Sequence, residues 1–400
     1  MANLIYRSVS VVGLAQILAS GATHYLPAVI AGAAGLELGI SNAVFFAAYS
    51  LALAVSGFAG PLSGRLVDRL GGRPVLMMSN LILAIGLCLM ALSTGVFSLF
   101  LSFAILGLGM AMGLFEVAFS AIVRLIGQNS RNAITGVTLL AGFASAVGWT
   151  SSVYIESRYG WRGVCWFWAL LQLCVGLPLH SLLPSIAKND ARKTSENVTL
   201  NSDKTTVRVE VQTQSEPPDP GMATGIILAF VFAVSAFIGM ALMSHLPRLL
   251  EGMGVPLAIA FSIGAFVGPS QIMGRLIDFA FMRKMHPLIS TRMAALAHPI
   301  GGGLLLFIGA PFALPFVVLH GLGNGVLIIS RGTLPLAIYG TKGYGQRQGW
   351  LMMPSKFAQA AAPFVFGLAL SEWGAQSLWL TWGLAISVFI ALCLIPIKRS

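Results

Sequence analysis

The sequence predicts an all-α integral membrane protein of twelve transmembrane helices, built as two pseudo-symmetric six-helix bundles. Three observations carry that expectation: scarcity of charge, a regular succession of apolar runs, and an internal repeat. Of 400 residues, 56% are hydrophobic and 9% are charged, and the mean hydropathy is +0.84. Soluble domains carry about 25% charged residues to cover a wetted surface. A chain with so few must keep most side chains out of bulk water, and a bilayer is the class that fits.

Crossing about 30 Å of hydrocarbon takes about 20 apolar residues in a helix. Runs of that length fall at Ser8–Gly32, Asn42–Gly64, Pro74–Thr94, Phe97–Leu125, Asn132–Ile155 and Trp161–Leu183. Six more fall at Gly221–Leu246, Pro256–Phe281, Pro287–Gly309, Pro311–Leu334, Gln348–Leu370 and Ala375–Ile397. Only Gly309, Ala310 and Pro311 divide the ninth from the tenth. The N-terminal Met1-Ala-Asn-Leu-Ile-Tyr-Arg7 leads into a run too long for a signal-peptide core, so a retained first helix is expected.

Residues 185–220 differ from their surroundings. They are rich in Ser, Thr, Asn, Asp, Lys and Glu and end Glu216-Pro-Pro-Asp-Pro220. Such a segment cannot bury enough apolar area to offset its ordering entropy. It is read as a flexible cytoplasmic linker joining a bundle at 1–184 to a bundle at 221–400. Asn197-Val-Thr199 matches a glycosylation sequon, but this topology puts it on the wrong side for a glycan.

Basic residues test the count. With the N-terminus inside, the cytoplasmic segments hold Arg7; Arg65, Arg69 and Arg73; Arg124 and Arg131; Lys188, Arg192, Lys193, Lys204 and Arg208; Arg275, Arg283, Lys284 and Arg292; Lys342 and Arg347; Lys398 and Arg399. The outer loops hold Arg158, Arg162 and Arg248. Cytoplasmic loops attract Lys and Arg in this way, and a miscounted helix would scramble the alternation. The net charge of +11 is therefore topological and calls for no nucleic acid. Both termini are expected in the cytoplasm, in a plasma membrane of the bacterial inner-membrane kind. Cys88, Cys165, Cys174 and Cys393 lie in apolar runs without metal-ligand spacing, so buried, unpaired thiols are expected.

Gly64-Arg-Leu-Val-Asp68 follows the second run, and Gly274-Arg-Leu-Ile-Asp278 closes the eighth, 210 residues on. Gly60-Pro61 and Gly268-Pro269 precede them, while Gly107-Leu-Gly109 and Gly321-Leu-Gly323 correspond in the fourth and tenth runs. Duplicated halves are common in secondary transporters, whose substrate site lies near mid-membrane between the repeats. Glycines there permit close helix approach and a tight turn, and Asp68 can cap or pair with a neighbouring helix end.

The stretch Gly60-Pro-Leu-Ser-Gly-Arg-Leu-Val-Asp-Arg-Leu-Gly-Gly-Arg73 resembles the loop signature of the major facilitator superfamily, with Pro74 replacing its last basic residue. Tyr159-Gly-Trp-Arg162 is similar to a segment of the same family. The resemblance implies a monomeric transporter, nearest in character to organic-anion, monocarboxylate-like or efflux members. Its partners would be a small solute, protons and the lipid bilayer, with no nucleic acid, cofactor or metal. It also implies that Gly64, Arg65, Asp68, Arg69, Gly71 and Arg73, with Gly274, Arg275 and Asp278 in the second copy, latch the outward-facing state. The cavity would be lined by helices 1, 4, 7 and 10.

Ionisable groups at membrane depth are costly unless they face a cavity or a partner. Those here are His24, Glu116, His245, His298, His320, Arg331 and Lys356. Glu116, His320, Arg331, Lys356 and His24 are the candidates for substrate binding and proton coupling. Lys356 and His320 lie near mid-membrane and Arg331 nearer the inner mouth. Glu116 either carries a proton or pairs with Arg331; both readings stay open. His24 and His298 read as satisfied groups, and His245 as interfacial. Two bases against one acid favour an anionic substrate facing Lys356, and carboxylate carriers of the superfamily use a basic residue on helix 11 that Lys356 resembles. Drug antiporters of the family carry a Gly-Pro pattern on helix 5 that Ala141-Gly-Phe-Ala-Ser-Ala-Val-Gly-Trp149 lacks. Efflux of drugs remains the alternative function, and a transporter-like sensor without turnover another. No phosphate-binding loop, zinc-binding His-Glu-x-x-His or Gly-x-Ser-x-Gly elbow occurs, so an enzyme is not expected.

Overall fold

A computed structural model describes residues 2–184 and 221–397; the expected linker at 185–220, with its sequon, lies outside the described residues. Among the described residues, nine helical stretches are long and apolar enough to cross a bilayer. Two exceed a single crossing at about 1.5 Å per residue: Val96–Ser181, with 86 residues, and Tyr344–Cys393, with 50. Gly127 and Gly160 break the first into three helices, and Gly374 breaks the second into two. Twelve crossings result, as the sequence predicts. They are α1 (Ile5–Leu38), α2 (Asn42–Leu70), α3 (Gly72–Ala91), α4 (96–126), α5 (131–159) and α6 (161–181). The second six are α7 (Gly221–Gly252), α8 (Leu257–Met282), α9 (Pro287–Ile308), α10 (Ala310–Tyr339), α11 (Tyr344–Trp373) and α12 (Leu378–Cys393).

Gly160 has φ +67° and ψ 178°, a conformation essentially reserved for glycine that costs other residues about 1–3 kcal/mol. Gly160→Ala is therefore expected to lower the melting temperature of the purified protein. Gly32→Ala, where an added Cβ meets nothing within 4 Å, should leave it unchanged or raise it. Equal melting of the two variants would contradict this account of the α5–α6 turn.

Of four apolar clusters, one built around Trp168, Phe45 and Phe103 lies in the first six helices and two lie in the last six, one of these around Phe316, Phe366 and Leu378; the fourth joins the first six helices to Leu336 and Tyr344 of α10 and α11. In lipid the hydrophobic effect does not draw helices together, so small residues that let backbones touch do much of that work. The repeated glycines show it. Cβ atoms added at Gly107 and Gly321 would strike α2 at Ala52 and α8 at Ser270, while Gly109 and Gly323 face α3 at Leu83 and α9 at Ala294 and Ala297. Each half thus uses the same two glycines to seat its fourth helix against its second and third.

Two expectations need correction. Gly64–Asp68 sits inside the last turns of α2, not in a loop, because the helix continues past its apolar run until Gly71, at φ +91°. Cys174 and Cys393 are exposed, Cys88 is half-buried and only Cys165 is buried. An outward-facing thiol in a bundle of this kind meets lipid, so apolar character does not require burial in protein.

Candidate substrate site and gate

The centre of the molecule is organised by a break in α4. Leu114 adopts an extended ψ of −174°, and a new helix starts at Phe115. The carbonyl of Gly113, next to the break, accepts a hydrogen bond from Gln16 Nε2 of α1 at 2.6 Å. Glu116 occupies the first turn of the resumed helix, where free amides and the helix dipole favour a carboxylate. His24 lies in a π-helical turn of α1 at Gly21–Tyr25, a local widening of the kind common at functional sites.

Glu116 Oε1 pairs with Lys356 Nζ of α11 at 3.0 Å, with side chains 19% and 8% exposed. The partner is thus Lys356 rather than Arg331. Geometry explains the choice: α11 lies close along α2, where Gly57 leaves room for the Lys356 stem and would bring a Cβ within 3.1 Å of Lys356 Cβ. A small cavity beside the pair is lined by Ser56, Gly57, Gly60, Ala111, Gly349 and Met352. Arg331 and His24 lie within electrostatic reach of the pair. Arg331 makes no ion pair among the described residues, and its buried Nε has no partner. Its backbone carbonyl accepts from Gln348 Nε2 at 2.8 Å. One carboxylate thus serves two bases, paired to Lys356 and within electrostatic reach of Arg331. His320 turns elsewhere, toward His298 of α9.

At the end of the bundle that carries the arginines, the two halves are bound together. The Asp68 carboxylate accepts from the backbone amides of Gly345 at 3.0 Å and Gln346 at 2.8 Å, the second and third residues of α11. An anion at a helix N-terminus meets both free donors and the positive end of the dipole. Cβ atoms added at Gly64 or Gly345 would overlap the other's carbonyl, and one added at Gly349 would strike Gly60 O and Pro61 Cα at 2.5 Å. Arg124 of α4 braces the end of α2 through the carbonyls of Val67, at 2.9 Å, and Asp68. Arg65 and Arg69 are exposed, and Arg73 is half-buried.

The second copy makes a related contact with different chemistry. Asp278 meets Arg131, the first residue of α5, at 3.6 Å, and Arg131 also donates to the carbonyls of Met282, at 2.9 Å, and Met285. Buried Arg275 donates to Thr138 O of α5 at 2.5 Å, while Gly274 packs on the backbone of Leu322. Toward the opposite end, the inter-bundle hydrogen bond found among the described residues is Ser50 Oγ to Ala360 O at 3.3 Å.

Gln16, Leu114 and Arg131 were not among the sequence candidates. Gly113 beside Glu116 was a signal for the break, since glycine weakens a helix interior. Nothing in the spacing of Gln16 or Arg131 points to their partners.

The chain matches the model of the Major Facilitator Superfamily over residues 12–327. Among curated proteins, it is 30% identical over 155 residues to human monocarboxylate transporter 2, a stretch covering 38% of this chain and 31% of that protein. It is 31% identical over 137 residues to rat monocarboxylate transporter 13, covering 33% and 29%. The matched stretch thus spans under a third of the length of these relatives. Among solved structures, the human organic anion transporter TETRAN superposes with TM-score 0.67 at 18% identity, covering 97% of this chain and 99% of that one. A proton:xylose symporter superposes with TM-score 0.74 at 14% identity, covering 99% and 96%. The fucose:proton symporter of E. coli gives 0.70 at 12%, covering 98% of each chain. With the twelve-helix fold, the family match shows that the chain belongs to the major facilitator superfamily and is a multi-pass membrane protein.

Proposed function

We propose that the protein moves a small organic anion, a monocarboxylate in the first instance, together with a proton. One observation carries the reading: a lone carboxylate, Glu116, is paired to Lys356 between the two bundles while Arg331 stays unmatched. An uncompensated cation at this depth is costly, and a bound carboxylate removes the imbalance. A proton on Glu116 cancels its charge and frees Lys356 for the substrate carboxylate. Loss of that proton draws Lys356 back and expels the anion. Proton and anion then travel together, and the pair alone re-forms in the empty carrier.

Alternating access follows from rocking of residues 1–184 against 221–400 about this site. The arginine-rich end is the cytoplasmic one, with both termini there, and the bonds of Asp68 and Arg131 hold it shut in an outward-facing state. The membrane is the plasma membrane, of the bacterial inner-membrane kind. The names of the monocarboxylate and organic anion transporters among the similar proteins support the substrate class, and the two proton symporters support the coupling.

The test is uptake of radiolabelled lactate, pyruvate and benzoate into proteoliposomes under an imposed pH gradient. Acid outside should drive accumulation of at least one of them, and Lys356→Ala should abolish it while the purified variant remains monodisperse. Gradient-driven uptake that persists unchanged in Lys356→Ala, or transport of xylose or a cationic dye in place of every carboxylate, sinks the reading.

A further inference from the structure

His298 of α9 and His320 of α10 face one another inside the second bundle, Nδ1 to Nδ1 at 2.9 Å. Phe316 packs against both rings, and the two residues are 7% and 5% exposed. A hydrogen bond between two Nδ1 atoms dictates the tautomers. The donor ring carries its proton on Nδ1 and leaves its own Nε2 bare, while the acceptor ring carries its proton on Nε2. The pair therefore contains one basic nitrogen with no proton and no role in the bond. His298 Nε2 is buried without a partner, and so is Ser235 Oγ of α7. Both residues line one small cavity, shared with His320 and Asn324 and otherwise walled by small and apolar residues of α7, α9, α10 and α12.

A bond through both Nδ1 atoms leaves the Nε2 of each ring to find a partner elsewhere, and a buried leftover facing a cavity calls for an account. No Asp, Glu, Lys or Arg lines the cavity. On the helices packed against the pair, α7 carries His245, engaged with Pro363 O at 2.8 Å, and beyond it Arg248 and Glu251. α9 carries Arg292, engaged with the carbonyls of Leu392 and Ile395, and α8 carries Arg275 and Asp278, engaged with Thr138 O and Arg131. Arg331 lies about three turns further along α10, at the central site. α12 contributes none to the cavity wall.

We infer that His298 and His320 form a buried proton-binding site, separate from the Glu116–Lys356 pair and independent of the anion reading. The proton enters at the bare Nε2 of the donor ring. That ring becomes an imidazolium, and its Nδ1–H now makes a charge-assisted bond to the neutral partner, which strengthens the link. The Ser235 hydroxyl and the Asn324 amide turn their oxygens toward the new charge across the cavity, in place of water. A second proton does not follow: it would remove the acceptor and set two cations about 3 Å apart. The site holds one proton for two rings.

Solid-state NMR of the full-length, ¹⁵N-histidine-labelled protein in lipid bilayers tests this. Near about pH 7.5, one ring of the pair should show the Nδ1–H tautomer and the other Nε2–H. As the pH falls toward the acid limit of folding, one ring should become doubly protonated while its partner stays neutral. His298→Gln and His320→Gln assign the signals; should either fail to fold, the coupling across the Nδ1–Nδ1 bond identifies the pair in the wild type. Glu116→Gln should leave these signals in place. Two rings that both protonate, two that both stay neutral to the acid limit of folding, or signals that move with Glu116→Gln would each overturn the inference.

Discussion

Gly64→Ala is expected to force α2 and α11 apart at the arginine-rich end and to unlock the closed gate. The added Cβ overlaps the Gly345 carbonyl and the Gln346 amide. Both are backbone atoms of the facing helix, so no rotamer change relieves the clash, and the helices must separate. Asp68 then loses its reach to the Gly345 and Gln346 amides, two bonds to a charged acceptor worth about 1.5–3 kcal/mol each. Hydrogen–deuterium exchange over residues 340–350 reads the outcome. Exchange should quicken at least about tenfold in Gly64→Ala, because a local opening cheaper by about 1.4 kcal/mol is a factor of ten. Asp68→Asn should show a smaller change confined to Gly345 and Gln346, since it removes the charge but leaves the helix crossing. Unchanged exchange in both variants would show that this contact does not hold the gate. Transport in Gly64→Ala should fall with it, because a carrier that cannot close one end leaks or stalls.

The second large effect concerns the central ion pair and has a direction that separates structural from functional roles. Removing one member of a buried pair leaves an uncompensated charge and costs about 3–5 kcal/mol. The two possible removals differ here. Lys356→Met leaves Glu116 with Arg331 within electrostatic reach, so part of its charge is still balanced. Glu116→Gln leaves Lys356 and Arg331 together with no anion. Melting temperatures of the purified proteins should therefore fall in the order wild type, Lys356→Met, Glu116→Gln. Added benzoate or lactate should restore Glu116→Gln more than it raises the wild type, because a carboxylate ligand replaces the missing charge. It should do nothing for Lys356→Met. The reverse order, or a restoration that neutral solutes match, would mean that the pair serves packing alone.

Much of the fold was legible before any coordinates, for reasons specific to a bilayer. Spans such as Pro287–Gly309 and Gln348–Leu370 announce themselves because hydrocarbon tolerates so few polar groups. Basic residues avoid one set of loops, and the orientation proposed above rests on that asymmetry. The candidate site was legible in part. Glu116, Lys356 and Arg331 stand out as charges in apolar runs, and their convergence could be anticipated from helix numbers. Their pairing could not. The sequence left Glu116 either to carry a proton or to pair with Arg331, and its pairing with Lys356 depended on Gly57 and its neighbours letting α11 lie close along α2. His320 illustrates the same limit: its depth suited a cavity residue, but its ring turns into the second bundle to meet His298.

The gate shows the division most clearly. The repeat of Gly64–Asp68 in Gly274–Asp278 suggested two equivalent latches. In the folded protein Asp68 caps the amides of α11, whereas Asp278 meets the Arg131 side chain at the start of α5. The difference lies in what each aspartate finds opposite, glycine backbone in one case and a long cation in the other, and those partners are 277 and 147 positions away. By itself the sequence determined the class, the number of crossings and the identity of the charged residues in the membrane, because each is a local property of composition along the chain. Which of those charges touch was decided by tertiary structure, because contact between helices is set by a few small residues that are silent until two backbones meet.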